Sequence, residues 1–311
     1  MRVVFAGTPE VAVPSLDAIA KSSHELVGVV TRPDAPQGRS KRLVPSPVAD
    51  RAEELGVPVL KPSHPREPDF QAALRELGPD CCPVVAYGAM LPQSALDIPR
   101  HGWVNLHFSL LPAYRGAAPV QRAVWAGEEI SGATTFRIVK AMDAGPVFGT
   151  MTQALAPDET SGSLFEKLMV GGASLLVATL DGIDDGSLEA REQPAEGVSY
   201  ADKITVEDAR IDWTQSSMAI DRQIRACTPA PGAWTLLDGQ RFKVGPVTRI
   251  DVAEPPLGLT PGAIATGKNE VFVGTGTSAI RLGRVKAFGK KEMAAADWAR
   301  GVRLESGASF E

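Results

Sequence analysis

From residue 2 to residue 180 the sequence alternates short apolar runs of strand character with longer amphipathic stretches, and this alternation constrains the fold more than any other feature. The spacing predicts strands over 2–6, 25–30, 80–86, 103–107 and 134–139. It predicts helices over 13–21, 47–55, 69–77, 118–126 and 161–180. Strands separated by helices return in the same direction, so the expected fold is α/β. It is a doubly wound, mostly parallel sheet covered by helices on both faces.

Beyond that run the texture changes. Residues 181–204 are acidic and rich in turn formers, as a connector would be. Residues 206–226 have helical character, and short β-prone segments then follow at 233–237, 241–244, 262–265, 270–273 and 279–285. Glycine and proline punctuate them closely, the pattern of a small antiparallel barrel or another small β-fold. The expected organisation is a catalytic domain over 1–190, a linker over 191–205 and a β-rich domain over 206–311. A chain of 311 residues with 44% hydrophobic content has room for two such cores.

Net charge is −5, which argues against a bulk nucleic-acid binder, but the charge is unevenly spread. Acids exceed bases by seven up to residue 204, and bases exceed acids by two after it. Cys81, Cys82 and Cys227 are odd in number and lie in apolar surroundings, so they are expected to be reduced core residues. No basic-then-apolar leader opens the sequence. The longest apolar run, 169–180, is too short to span a bilayer. A cytoplasmic, monomeric protein with no membrane or DNA partner is expected.

The chemistry concentrates in Asn105-Leu-His107-Phe-Ser109-Leu110-Leu111-Pro112, followed by Tyr114-Arg115-Gly116 and Asp143-Ala-Gly145. Two-residue spacing on a strand puts Asn105 and His107 on one face. Pro112 halts the strand's continuation. A polar pair at the end of a buried strand is where open α/β sheets carry their reactions. Histidine moves protons near neutrality, an asparagine amide donates to an oxyanion, and Asp143 is the natural partner for the imidazole. Acyl or formyl transfer to a nitrogen or oxygen nucleophile suits them. The structural alternative is a turn-capping Asn, a partly buried His and a surface Asp. Gly7-Thr8-Pro9 lacks the spacing of a dinucleotide-binding turn, and no metal ligand set accompanies the motif.

Asn-x-His, Ser-Leu-Leu-Pro, Arg-Gly and Met-Asp-x-Gly in this order resemble the folate-dependent formyltransferase family. The likeness extends over Val4-Phe5-Ala6-Gly7-Thr8-Pro9-Glu10, Thr31-Arg32-Pro33-Asp34 and Gly38-Arg39-Ser40-Lys41-Arg42. Pro45-Ser46-Pro47-Val48, Val85-Ala86-Tyr87-Gly88, Gly116-Ala117-Ala118-Pro119-Val120-Gln121-Arg122 and Ala209-Arg210-Ile211-Asp212-Trp213 continue it. The basic insert and the downstream half narrow the resemblance to the branch that acts on an aminoacyl-tRNA. It implies a Rossmann-like catalytic fold with an oligonucleotide-binding-type (OB-like) barrel. It also implies formyl transfer from 10-formyltetrahydrofolate to methionyl-initiator tRNA, for translation initiation, with Asn105, His107 and Asp143 catalytic. By the same likeness Ser109, Leu110, Leu111 and Pro112 contact the folate, and Val85, Tyr87, Gly88, Met90 and Leu91 wall the pterin pocket. Arg115 is expected to brace the active-site loop.

Two basic clusters bear on the partner. Arg39, Lys41 and Arg42 lie in a stretch too irregular for helix or strand, suited to a phosphate backbone. Arg281, Arg284, Lys286, Lys290 and Lys291 follow on one expected strand and its loop. In the family the first loop enters the acceptor end of the tRNA and the barrel contacts the stem. Three rivals remain: a formyltransferase for small amines, a formyl-folate hydrolase, and a tRNA-binding protein without catalysis.

Overall fold

The computed structural model describes residues 1–38, 41–250, 258–302, 304 and 307–311. Two compact units emerge. The first comprises Met1–Gly116, Ile130–Ala154 and Phe165–Ala201, and the second Ala117–Glu129, Leu155–Leu164 and Asp202–Glu311. Unlike the linear division expected, the second unit takes in two earlier segments; one of them carries a helix that packs on a helix of the C-terminal part.

The first unit opens with β1 (Arg2–Gly7), α1 (Val13–Ala20), β2 (Glu25–Val30), β3 (Ala35–Gln37), β4 (Arg42–Val44), α2 (Pro47–Glu54) and β5 (Val59–Leu60). Next come α3 (Pro68–Leu77), β6 (Cys82–Val85), α4 (Gln93–Leu96) and β7 (Trp103–His107). After α5 (Pro119–Ala126), which belongs to the second unit, the chain adds β8 (Ile130–Arg137), β9 (Val147–Ala154) and α6 (Ser161–Asp184). One sheet runs β5-β2-β1-β6-β7-β8-β9. It is parallel from β5 to β7, and β8 and β9 close its edge antiparallel. The fold is therefore the mostly parallel α/β class expected.

The winding explains the layers. β1, β2 and β5 progress one way, and the chain then returns past β1 to β6. Right-handed crossovers therefore put α1 and α2 on one face and α3 on the other. Phe70 and Leu74 of α3 pack with Leu96 of α4 against Val4, Ala6, Val84 and Trp103. Helix ends follow local chemistry. Ser46 caps α2 by accepting from the Ala49 amide at 3.1 Å, with Pro47 following it, and α3 stops at Gly78 in the left-handed conformation.

α6 is long and apolar enough to cross a membrane by length and composition alone. Its Leu168, Leu176 and Leu180 are nevertheless wholly buried, and Gly172 lies so near Leu106 that a Cβ there would come within 2.9 Å of its side chain. Cys81 and Cys82 are free and buried; burial pushes the Cys81 thiol up to about 12 and Cys82 well above its usual range.

Ahead of β2, His24 is buried with Nε2 3.1 Å from Asp181 Oδ1, and burial holds the imidazole below its ordinary range. The unfolded chain thus takes up a proton here at higher pH than the folded one. Stability is full above about pH 6.5 and falls as pH drops toward the depressed folded value. Thermal unfolding between pH 8 and pH 5 should show this loss, and His24→Asn should reduce it. An unchanged pH dependence in the variant would remove His24 from the account.

Two differences from expectation stand out in the first unit. β3 and β4 pair antiparallel as a hairpin, with Ala35 opposite Val44 and Pro36 opposite Leu43, where an irregular loop was expected. Gly38 and Lys41 take positive φ (67° and 50°), and the Lys41 amide closes the turn onto Gly38 O at 3.4 Å. β9 was not anticipated, because an edge strand carrying Gly149 and several polar residues owes its form to pairing with β8.

The second unit adds α7 (Ser217–Ala226), β10 (Trp234–Leu237), β11 (Gln240–Val244), β12 (Val247–Arg249), β13 (Ile264–Thr266), β14 (Val271–Val273), β15 (Ile280–Leu282), β16 (Arg284–Lys286), β17 (Met293–Ala294) and α8 (Ala295–Gly301). Two antiparallel four-stranded sheets, β10-β11-β16-β17 and β12-β15-β14-β13, make the small barrel. Trp213, Phe242, Trp298 and Phe310 fill it, with the Trp213 and Phe310 rings stacked 5.5 Å apart. The helix expected over 206–226 begins only at Ser217. Asp208 Oδ2 accepts from the Thr205 amide, and Asp212 Oδ1 from that of Thr214, at 2.8 and 3.0 Å. Such short side chains compete with helical bonding. The strand expected over 279–285 is broken at Gly283, which lets the chain change sheets; a Cβ there would collide with the Pro246 carbonyl.

Candidate active site

β7 ends at the carboxyl edge of the sheet, and its regular pleat carries Asn105 and His107 on one face. His107 is 6% exposed, paired with Thr134 across the β7–β8 ladder, and its ring meets Phe136 edge-on. Its Nε2 lies 2.8 Å from the Tyr114 carbonyl. A carbonyl oxygen only accepts, so Nε2 carries the proton and Nδ1 is the open nitrogen. Nδ1 faces Asp143 Oδ2 at 3.8 Å, too far for a direct bond. Asn105 is half-buried, and its carboxamide makes no hydrogen bond among the described residues.

Asp143 is held by the backbone. Its Oδ2 accepts from the Gly116 amide at 2.8 Å, and its own φ is 48°. Gly116 has φ 121°, and a Cβ on it would approach the Ala201 carbonyl to 2.9 Å. Only glycine fits. Residues 199–201 zip along this loop: Arg115 N donates to Ser199 O at 2.9 Å and Ala201 N to Arg115 O at 2.7 Å. Tyr114 N donates to Ser199 Oγ at 2.8 Å.

Thr134 fixes Ser109–Pro112. Its hydroxyl donates to Ser109 O at 2.7 Å and accepts from Leu111 N at 3.2 Å. Ser109 Oγ meanwhile donates to Ala113 O at 2.7 Å, so Ser109 serves the turn, while Leu110, Leu111 and Pro112 stay half-exposed. Of the expected pterin wall, Val85 and Tyr87 are buried in the core. Gly88 and Met90 are exposed and Leu91 is half-buried. Positive φ at Ala86 and Gly88 turns that backbone outward. This segment and Ser109–Pro112 follow the carboxyl ends of the neighbouring parallel strands β6 and β7.

Sequence reasoning missed Gln193. Its Nε2 donates to Asp143 O and to Gly145 O, both at 2.8 Å, and its Oε1 accepts from Arg115 Nη2 at 2.6 Å. Arg115 thus braces the loop as expected, but through an amide. The signal was weak, since Gln193 lies in a turn-rich, acidic segment resembling a plain connector. A cleft of about 640 Å³ opens beside it, lined by Leu111, Phe148, Arg191 and Gln193 among others.

The basic residues fare unevenly. Lys41 and Arg42 are exposed on the hairpin, and Arg39 lies outside the described residues. The break at Gly283 splits the second cluster: Arg281 lies on β15 and is tied to Glu270 at 2.8 Å, while Arg284 on β16 is tied to Glu292. Lys286, Lys290 and Lys291 are exposed without an acidic partner among the described residues.

The family model described as "Formyl transferase" matches residues 1–180, and "Formyl transferase, C-terminal domain" matches 203–303. The chain belongs to the formyl transferase family. This formyltransferase is 69% identical to the methionyl-tRNA formyltransferase of a Nocardioides species, over 99% of this chain and 97% of that protein. It is 62% identical to that of Streptomyces coelicolor, over 99% and 98%. Among solved structures it is similar to HypX from Aquifex aeolicus in complex with tetrahydrofolic acid. There the TM-score is 0.67 at 18% identity, over 96% of this chain and 46% of that one, a likeness of fold.

Proposed function

We propose that this formyltransferase moves a formyl group from 10-formyltetrahydrofolate to the α-amine of methionine on initiator tRNA, for translation initiation. The observation that carries the reading is likeness to methionyl-tRNA formyltransferases along practically the whole chain, the barrel included. Attack of the amine on the folate's formyl carbon creates an oxyanion and leaves the attacking nitrogen with a proton to lose. Collapse of the oxyanion then breaks the formyl C–N10 bond, and tetrahydrofolate leaves as its N10 takes up a proton. The unpaired Asn105 amide donates to that oxyanion. His107 handles the proton at Nδ1, since Nε2 is committed to the Tyr114 carbonyl. Asp143, 3.8 Å from Nδ1, lies within reach through a water, and its charge offsets the imidazolium's. Leu110, Leu111, Pro112 and the backbone of 86–90 line the folate's path.

One assay separates this reading from its rivals. Formyl-folate is supplied with methionyl-tRNA, with free small amines, and alone. The reading requires formyl-methionyl-tRNA in the first arm only; transfer to small amines, or formate release without an acceptor, would overturn it.

For the tRNA, the hairpin cations Lys41 and Arg42, with Arg39 of the same sequence run, bind phosphates. Lys41→Ala/Arg42→Ala should raise KM for methionyl-tRNA, flatten its salt dependence by about 0.9 for each phosphate no longer neutralised, and leave the folate KM unchanged. Normal tRNA kinetics across a salt series would remove the hairpin from the interface.

A further inference from the structure

β11 and β16 are antiparallel neighbours whose register sets Lys243 directly opposite Lys286, both exposed. Like charges at facing positions destabilise a strand pair. Neither lysine has an acidic partner among the described residues; Lys243 donates only to the Pro231 carbonyl, 3.1 Å away. They border a cleft of about 290 Å³ that Pro229, Gly232, Arg284 and Glu292 also line. Glu292 is engaged by Arg284, so it leaves the lysine pair uncompensated.

Two residues past Lys286 stands Phe288, 69% exposed and the most exposed large apolar side chain among the described residues of the barrel. It is held out by construction. The Lys290 amide donates to Ala287 O at 3.1 Å, and Gly289 has φ 69°, so Phe288 occupies the first corner of a tight turn. Lys290 and Lys291 follow it, both exposed. An aromatic ring displayed among free cations serves no packing role. It is the arrangement that binds an unpaired nucleotide, the ring stacking on the base and the cations taking phosphates.

We propose that Phe288 is a base-stacking platform and that the Lys243–Lys286 pair is its phosphate seat, together holding an unpaired nucleotide of the tRNA substrate. A phosphate between the two lysines removes the repulsion built into the register. The tRNA as ligand follows from the substrate reading above; the platform itself requires only a single-stranded nucleotide.

The test is direct binding of the full-length protein to initiator tRNA, to a short single-stranded RNA and to heparin, each over a salt series. Phe288→Ala should weaken both RNAs by roughly five- to a hundredfold, with the salt slope unchanged. Phe288→Trp should bind like the wild type and lose tryptophan emission on RNA addition. Lys243→Ala/Lys286→Ala should flatten the slope by about 1.4 to 1.8 units. Heparin carries charge without bases, so Phe288→Ala should leave its affinity unaltered. Equal RNA affinity of wild type and Phe288→Ala, or an equal loss for heparin, would overturn the platform. Wild-type protein that binds the single strand but not tRNA would overturn the substrate reading and leave the platform standing.

Discussion

Alanine at Asn105, His107 or Asp143 is expected to lower turnover with methionyl-tRNA roughly a hundred- to ten-thousandfold each, with tRNA affinity little changed. The three lose different things. Without Asn105 the carboxamide that is free to meet the oxyanion is gone. His107→Ala also deletes the bond to the Tyr114 carbonyl, so His107→Gln is the cleaner variant. Its amide nitrogen can still donate there, but it offers no nitrogen that accepts a proton. Asp143→Asn keeps an oxygen for the Gly116 amide and removes the charge. Single-turnover rates with all substrates saturating separate chemistry from binding. Near-normal turnover in any of these variants would withdraw that residue from the reaction.

Gln193→Ala should cost about a hundredfold in turnover without Gln193 touching substrate. Its carboxamide bridges Arg115 to the carbonyls of Asp143 and Gly145, and so fixes where the Asp143 carboxylate points. Displacements of about 1 Å in a catalytic group commonly cost that much. Gln193→Glu retains the acceptor for Arg115 but cannot donate to the two carbonyls; it should resemble Gln193→Ala if donation is what matters. The effect should fall on kcat, leaving KM for folate within a fewfold. A loss in KM alone, or an equal fall in thermal stability and activity, would make Gln193 a merely structural residue.

The parallel part of the sheet was legible because central strands are buried on both faces and read as unbroken apolar runs; β1 and β7 are cases. Asn105 and His107 stood out as polar residues within such a run. Asp143 was named as the imidazole's partner by its chemistry and by family likeness, not by spacing, because its approach to His107 depends on a loop closed by backbone bonds. The same limit hid Gln193 and the strap at 199–201, whose partners are carbonyls and amides that every sequence possesses. The hairpin of β3 and β4 was obscured by proline and glycine, which the turn itself requires. In the barrel, Gly283 looked like the interior of one strand, and only pairing in two sheets divides it.

The dependence of the loop on main-chain bonds bears on how such a catalyst can diversify. Ser199, Arg115, Tyr114 and Gly116 contribute peptide groups to the scaffold around Asp143 and His107, so positions whose side chains take no part in those bonds are open to drift. A one-residue insertion or deletion between Pro112 and Gly116 is a different matter. It shifts each of those peptide groups out of phase with 199–201, and the mismatch cannot be repaired by any choice of side chain. The side chains of this loop are therefore free to change by substitution, while its length stays under constraint.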